Sequence, residues 1–117
     1  MNILFVHQNF PGQYRELFSW LRAQGGHELV FLTQRKDVPK MEGARVVRYD
    51  SHHKPKEGTY ALTQYWEECA GNGFGCAQAA DKLKKTGFTP DVILGHVGWG
   101  ELTFLKQVWP DVPVIGC

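Results

Sequence analysis

Short runs of consecutive apolar residues, each leading into a polar or glycine-rich stretch, recur along the 117 residues of this chain. Such runs are typical of strands that are buried on both faces of a parallel sheet. They predict five strands, at residues 3–6, 29–32, 45–49, 91–94 and 112–115. The spacing of these runs limits the possible folds more than any other feature of the sequence.

Between the runs, apolar residues recur at three- and four-residue spacing, which predicts helices that each bury one face. The predicted faces are Tyr14, Leu17, Phe18 and Leu21; Leu62, Tyr65, Trp66 and Cys69, resuming at Ala77, Ala80 and Leu83; and Leu102, Leu105, Val108 and Trp109. Strands that alternate with helices favour right-handed βαβ crossovers. The expected fold is a single α/β domain, residues 1–117, whose doubly wound, Rossmann-like parallel sheet has the strand order 3-2-1-4-5 with helices on both faces.

The glycines of GNGFG, residues 71–75, fall inside the second helical pattern. A phosphate-binding glycine loop follows a strand and opens a helix, whereas a helical pattern precedes this one. Because glycine costs a helix about 1 kcal/mol per position, we predict a kink or break there between two helical pieces.

Composition excludes several classes of protein. With 43% hydrophobic and 13% aromatic residues, the chain can bury a core, which argues against disorder. A net charge of +1 argues against a general nucleic-acid-binding protein. The three cysteines have no CxxC spacing and suggest neither a disulfide framework nor a zinc site. No signal peptide and no run of about 20 apolar residues is visible, which favours a reduced, cytoplasmic protein.

Positive charge concentrates in residues 35–56, where seven lysines and arginines stand against three acidic residues. A run of this kind is usually a solvated edge of the protein. The alternative is a surface for an anionic substrate or for anionic lipid headgroups, as a peripheral protein at the inner face of a membrane would need.

The strand order also predicts where a ligand binds. In a doubly wound sheet the crevice forms at the carboxyl ends of the strands, where the order reverses, here between the first and fourth strands. The loops that meet there are residues 7–12 and 95–100, which together contain His, Asn, Trp and Gly. We expect these two loops to lie side by side and to form the candidate site.

Four residues in or next to these loops could bind a ligand or take part in catalysis. Gly12 opens a helix, whose free N–H groups and positive dipole favour an anion, although a plain turn glycine after proline is an equal alternative. His96 is either a structural histidine or a group that hydrogen-bonds a sugar hydroxyl or a phosphate. Trp99 either stacks on a sugar ring or packs the loop, and Glu101 has a plain alternative in the first turn of its helix.

A metal site between His7 and His96 is also conceivable. No HxH, HExxH or paired carboxylate accompanies these histidines, so we predict that the chain has no metal site.

Several segments of the sequence resemble a known family. NILFV and FPGQY, residues 2–6 and 10–14, look like the first strand and glycine loop of the N-terminal domain of a GT-B glycosyltransferase of the retaining family 4. AQGGHELV, residues 23–30, is similar to that family's RGHEV turn, and FTPDVILGH, residues 88–96, to its PDVVHAH strand. HVGWGE, residues 96–101, is similar to one subgroup of these transferases, and the resemblance covers nearly the whole chain.

The resemblance implies a transferase that moves a sugar from a nucleotide-sugar donor to a sugar, lipid-linked or other hydroxyl acceptor, with retention of configuration and with neither a metal nor another cofactor. The N-terminal domain of such enzymes mainly binds the acceptor. The expected acceptor-binding residues are His7, Asn9, Trp99 and Glu101. The glycine loop lies against the donor diphosphate, which assigns phosphate binding to Gly12 and Gln13. The histidine after the fourth strand faces the reacting sugar, so His96 is the expected catalytic residue.

The chain also departs from the family. The C-terminal nucleotide-sugar domain, with its paired glutamates in an E-x7-E arrangement, is missing, and so is the later part of the N-terminal domain. We therefore expect a fragment of a larger protein that is inactive alone. The family's first loop often reads Gly-Gly, where this chain has Pro11-Gly12. The alternatives are a nucleotide-sugar epimerase or another GT-B enzyme, and a stand-alone Rossmann-like binding module.

Overall fold

The computed structural model describes residues 1–117 and contains one five-stranded sheet. Its strands are β1 (Asn2–Val6), β2 (Glu28–Thr33), β3 (Arg45–Arg48), β4 (Val92–Gly95) and β5 (Val114–Gly116). A 3-10 turn (Gly12–Tyr14) leads into α1 (Arg15–Gln24), and the other helices are α2 (Ala61–Lys85) and α3 (Leu105–Val108). All the predicted strands are present, with their ends shifted by one or two residues.

The strand order is β3-β2-β1-β4-β5, and every neighbouring pair is parallel. This is the predicted doubly wound, Rossmann-like order, so the prediction of the fold is confirmed. The chain runs outward from β1 to β3, returns through α2 and continues from β4 to β5 on the other side. The order therefore reverses between β1 and β4, where Val6 is in register with Gly95.

Strand alternation divides the apolar side chains between two cores. Odd-numbered residues of β1 and β2, such as Phe5 and Phe31, pack with Phe18 of α1 on one face of the sheet. Even-numbered residues of the same strands, such as Leu4 and Leu32, pack with residues of α2 and α3 on the other face. Both faces of the sheet are thus covered, as the continuous apolar runs predict.

The helix α2 is continuous, so the predicted kink or break at residues 71–75 is wrong. Its glycines are buried against a loop instead of interrupting the helix. A Cβ on Gly71 would collide with the backbone carbonyl of His53, and a Cβ on Gly75 with that of Asp50. The loss of helix propensity, about 1 kcal/mol per glycine, is therefore offset by direct packing of a loop backbone on the helix.

The first turns of α2 are exposed, although their apolar spacing predicted a buried face. Leu62, Tyr65 and Trp66 are 72%, 50% and 70% exposed. The helix has 25 residues, or about 37 Å at 1.5 Å per residue, whereas the longest strand has six residues, or about 20 Å. The amino-terminal part of α2 therefore extends beyond the sheet. On α1, Leu17 of the predicted face is likewise 42% exposed.

The third helix is much shorter than predicted. α3 is a single turn, and residues 101–104 form turns instead of its first half. Glu101, expected in the first helical turn as the plain alternative, precedes the helix, and its carboxyl group is buried. Hydrogen bonds from Gln8 and Tyr49 hold this carboxyl group inside the molecule, so the helix begins only after it.

Candidate active site

The loops that follow β1 and β4 lie side by side at the carboxyl end of the sheet. The ring centroids of His7 and His96 are 5.5 Å apart, and that of Trp99 lies 5.2 Å from His7 and 4.1 Å from His96. The backbone N–H of His96 donates to the carbonyl of Val6 at 3.2 Å, which extends the contact between β1 and β4 into the loops. The predicted meeting of these two loops is confirmed, and the roles of their residues stay predictions.

His7 is buried, with 8% of its surface exposed. Its Nδ1 accepts a hydrogen bond from the backbone N–H of Asn9 at 3.0 Å, so the neutral ring carries its proton on Nε2. Burial first, and the positive charge of a protonated His96 second, lower the pKa of His7 from its ordinary value of 6.5. At neutral pH His7 is therefore an uncharged ring whose Nε2–H can donate a hydrogen bond.

His96 is half-buried and leaves one ring nitrogen unsatisfied. Its Nδ1 is buried and has no hydrogen-bond partner in the chain. Because buried polar atoms in proteins are nearly always paired, an unpaired nitrogen beside a crevice marks a candidate ligand contact. Trp99 tilts against this imidazole at an interplanar angle of 51°. The two side chains thus present a polar atom and an apolar ring at one place.

Gly12 provides space for the ring of His7. Its φ is +54°, and a Cβ at this position would stand 2.5 Å from the imidazole. Both the backbone and its neighbour therefore require glycine here. Gln13, the other predicted phosphate-binding residue, donates from Nε2 to Sγ of Cys117 at 3.2 Å. The side chain of Gln13 thus reaches across to the end of β5, on the same edge of the sheet.

Glu101 is placed differently from the other predicted site residues, since only 1% of it is exposed. Its Oε1 accepts hydrogen bonds from Nε2 of Gln8 at 2.5 Å and from the hydroxyl of Tyr49 at 2.9 Å, and its Oε2 is buried without a partner. Burial, with Cys76 and Glu101 as further causes, raises the pKa of Tyr49, so this phenol stays protonated and donates. Glu101 therefore reaches the crevice through Gln8.

Sequence reasoning missed three amide side chains at this edge of the sheet. Gln8 and Gln34 follow β1 and β2, and Asn72 lies on α2. Nε2 of Gln34 donates to Oδ1 of Asn72 at 2.9 Å, and Nδ2 of Asn72 donates to the carbonyl of Trp99 at 3.0 Å. Asn72 therefore links the loops after β2 and β4.

A signal for two of these amides was present in the strands. The alternation of β1 continues past its end, so His7, like Thr33 at the end of β2, lies on the α1 face with the odd-numbered core residues. Gln8 and Gln34, at even positions, lie on the α2 face, where Glu101 and Asn72 bond them. The crevice therefore has two sides: a histidine side, with His7 and His96, and an amide side.

On the amide side there is a cavity of about 230 Å³. We call it the amide cavity; its walls include Gln8, Gln34, Asn72, Tyr65 and Trp99, and its other lining residues are Ser51, His53, Lys54, Glu68 and Cys69. Trp99 contacts both histidines and also lines this cavity, so it stands between the two sides. A larger cavity, of about 510 Å³, lies between β3 and the second half of α2, away from the switch point.

The basic segment at residues 35–56 is partly neutralised by its own carboxylates. Arg35 pairs with Asp37 at 2.8 Å, and Arg48 pairs with Asp50 at 2.5 Å. Lys54 from this segment lines the amide cavity. No group of three or more histidine, cysteine or acidic side chains is arranged to hold a metal ion, and none of the helices is long and apolar enough to cross a membrane.

Comparison with known proteins decides the family. The model of the glycosyl transferase family 4 group matches residues 25–117, which is most of the chain. The chain belongs to the glycosyl transferase family 4 group. The predicted resemblance to this family is thus confirmed, and the chain is called the family 4 domain below.

The fold of the family 4 domain is also similar to a solved structure, that of apo UGT2 from Phytolacca americana. The TM-score is 0.60 at 11% sequence identity, so the likeness concerns the fold. It covers 98% of the family 4 domain and 29% of the other chain, so the domain spans less than a third of that protein's length. No curated protein matches the domain significantly.

Proposed function

We propose that this chain is the acceptor-side, N-terminal domain of a GT-B glycosyltransferase that moves a sugar from a nucleotide-sugar donor to an acceptor hydroxyl with retention of configuration. The observation that carries the proposal is the convergence of His7, His96 and Trp99 at the switch point of a family 4 domain. Ligands of open parallel sheets bind at this point. Two imidazoles beside an indole offer hydrogen bonds to hydroxyl groups and an apolar face to a sugar ring.

In this proposal His96 is the catalytic residue and contacts the reacting sugar. The acceptor hydroxyl oxygen forms a bond to the anomeric carbon while the bond from that carbon to the donor diphosphate breaks. The hydroxyl proton leaves with the departing phosphate oxygen, and positive charge develops on the sugar ring in the transition state. In glycoside hydrolysis, hydrogen bonds to a ring hydroxyl strengthen in such a transition state. The unpartnered nitrogen of His96 supports this role, because it is a hydrogen-bonding atom that no protein group occupies.

Gly12 and Gln13 are proposed to face the donor diphosphate. They begin the turn that leads into α1, and no side chain caps the start of either element. Free backbone N–H groups and the helix dipole favour an anion at such a place. The positive φ of Gly12 supports the assignment only indirectly, since the space beside its α-carbon is filled by the His7 ring.

The acceptor is proposed to contact His7, Asn9 and Trp99, with Glu101 acting through Gln8. Asn9 is exposed beside the buried ring of His7, and its backbone N–H fixes the tautomer of that ring. The uncharged His7 is then a hydrogen-bond donor to an acceptor oxygen. This arrangement supports binding of a hydroxyl acceptor close to the reacting sugar at His96.

The domain alone is proposed to be inactive, because the donor nucleotide would be held mainly by a second domain. We place the working enzyme in the cytoplasm, with no metal and no other cofactor. Contact of the basic segment with an anionic membrane is part of the proposal, supported by the lysines of residues 35–56 that have no ion pair.

The test uses a protein in which this domain is followed by a nucleotide-sugar-binding domain. Sugar transfer from a panel of nucleotide sugars is measured, and the anomeric configuration of the product is read by NMR. We expect a retained configuration and a loss of kcat of at least about a hundredfold in His96→Ala, the lower end of what positioned catalytic hydrogen bonds contribute.

His52→Ala is the matched control, since His52 is an exposed histidine outside the crevice. An inverted product would contradict the retaining mechanism. Equal losses of activity in the two variants would remove the catalytic role of His96.

A further inference from the structure

The hydrogen bonds of the amide cavity fix the orientation of its side chains. The backbone carbonyl of Trp99 can only accept, so Asn72 must turn Nδ2 toward it. Oδ1 of Asn72 then faces Gln34, which must donate from Nε2. The carbonyl oxygen of the Gln34 side chain is consequently left without a protein partner.

Gln8 also lines the amide cavity, and its hydrogen bond fixes the orientation of its amide group in the same way. The carboxyl oxygen Oε1 of Glu101 accepts from Gln8 at 2.5 Å, so the amide nitrogen of Gln8 points toward the protein and its carbonyl oxygen does not. The Tyr65 hydroxyl is already engaged, since it donates to the carbonyl of Gly98. Two walls of the cavity therefore each carry an oriented carbonyl oxygen that no protein group occupies.

These atoms suit one kind of ligand chemistry. The side-chain carbonyl oxygens of Gln8 and Gln34 can only accept, and a ligand hydroxyl pairs with them because it donates. A phosphate at neutral pH mainly accepts and would leave the carbonyl oxygens unpaired, which is costly in a partly buried site. The ionic groups lining the cavity include Lys54 and Glu68, which have opposite charges and give no preference for an anion.

We propose that the amide cavity binds an uncharged, hydroxyl-rich ligand of about one sugar ring. The further assignment of this ring to the acceptor of the transferase rests on the proposed function. The volume of about 230 Å³ is below the roughly 300–1,000 Å³ of pockets for drug-sized molecules, so it suits a single ring. Trp99 supplies an apolar wall for the C–H face of that ring and separates it from the histidine side.

The experiment is an NMR titration of the ¹⁵N-labelled chain of 117 residues. The probes are methyl α-glucopyranoside, methyl β-glucopyranoside, myo-inositol and inorganic phosphate. We expect at least one of the uncharged probes to shift the side-chain NH₂ signals of Gln8, Gln34 and Asn72 and the indole N–H of Trp99. Inorganic phosphate should leave these signals unchanged.

Two variants make the assignment specific. Gln34→Leu should weaken binding of that probe by up to about tenfold, because it removes the free carbonyl oxygen of Gln34 from the cavity. Gln78→Leu is the control, since Gln78 is an exposed glutamine of α2 outside the cavity, and its affinity should match the wild type. If Gln34→Leu does not fold, the shift map of the wild-type chain decides by itself.

The proposal is overturned if no uncharged probe shifts the amide signals, if phosphate shifts them more strongly, or if the shifts are confined to His7 and His96. Because no donor is present, this outcome is independent of the transferase test. Glycoside binding by this chain, together with no sugar transfer by the two-domain protein, would retain the cavity assignment and reject the proposed function.

Discussion

Replacing Gly75 by alanine sets helix propensity against packing. On propensity alone the change stabilises a helix by about 0.8–1.0 kcal/mol. The structure predicts the opposite sign, because the new Cβ would overlap the backbone carbonyl of Asp50, which cannot turn away as the tip of a side chain can. Overpacking costs about 1–3 kcal/mol, and a rigid backbone neighbour favours the upper part of that range. The net expectation is a loss of about 1–2 kcal/mol of unfolding free energy.

Urea unfolding of the wild-type and variant chains measures this difference. For a domain of this size the same loss lowers Tm by about 4–8 °C. The control is Ala70→Gly at an exposed position of the same helix, where only propensity changes and a loss of about 1 kcal/mol is expected. A Gly75→Ala chain that is about 1 kcal/mol more stable than the wild type would refute the packing argument and restore the view that these glycines merely weaken the helix.

Three further predictions concern the site and its surroundings. The pKa of His7 is lower in the folded chain than its ordinary value of 6.5. The stability that the neutral His7 ring contributes is therefore complete above pH 6.5 and is lost as the pH falls through the folded pKa. The free energy of unfolding should fall by up to about 1.4 kcal/mol per pH unit over that range. Urea unfolding between pH 7.5 and 5.5 should show this slope, and an unchanged slope in His7→Gln would contradict it. The isolated chain should release no nucleotide from nucleotide sugars; release that disappears in His96→Ala would show that it is active alone. The chain should bind phosphatidylserine vesicles and lose that binding as salt rises, since the Debye length is about 10 Å at 0.1 M; equal binding to neutral vesicles would reduce the basic segment to a solvated edge.

The sheet was predictable from the sequence because burial on both faces leaves a local trace. Runs of three or four apolar residues specify a buried strand without knowledge of its neighbours, and the rules for βαβ connections then restrict the order. The glycines of α2 have no such local meaning. Whether Gly75 breaks a helix or admits a neighbour depends on Asp50, which lies 25 positions earlier in the chain and meets the helix only in the folded state.

The exposed face at Leu62 and Trp66 was missed for a related reason. Apolar periodicity indicates that a helix has a preferred side, but burial depends on whether another element lies against that side. The first turns of α2 lie past the end of the sheet, which supplies no partner. Periodicity alone gives no measure of how far a helix extends beyond the strands.

The candidate site was likewise predictable only in part. Topology alone predicts that His7 and His96 meet, because the switch point depends only on strand order and not on packing detail. The amide Asn72 was out of reach, since it comes from a helix that was expected to be broken at that point. Glu101 was expected to bind the acceptor or to lie in the first turn of its helix. Its burial could not be predicted, because its partners Gln8 and Tyr49 follow strands that are remote in sequence.

The register of β1 links the two sides of the crevice. His7 and Gln8 are consecutive residues just past the end of the strand, and the two-residue period of a strand sends them to opposite faces of the sheet. His7 therefore meets His96, while Gln8 meets Glu101 and the amide cavity. One strand end thus places the ring of His7 beside His96, the proposed contact of the reacting sugar, and the amide of Gln8 beside the proposed acceptor ring. Since a slip of one residue exchanges every side chain between the faces, the same register that buries Phe5 against α1 and Leu4 against α2 also keeps these two chemistries apart.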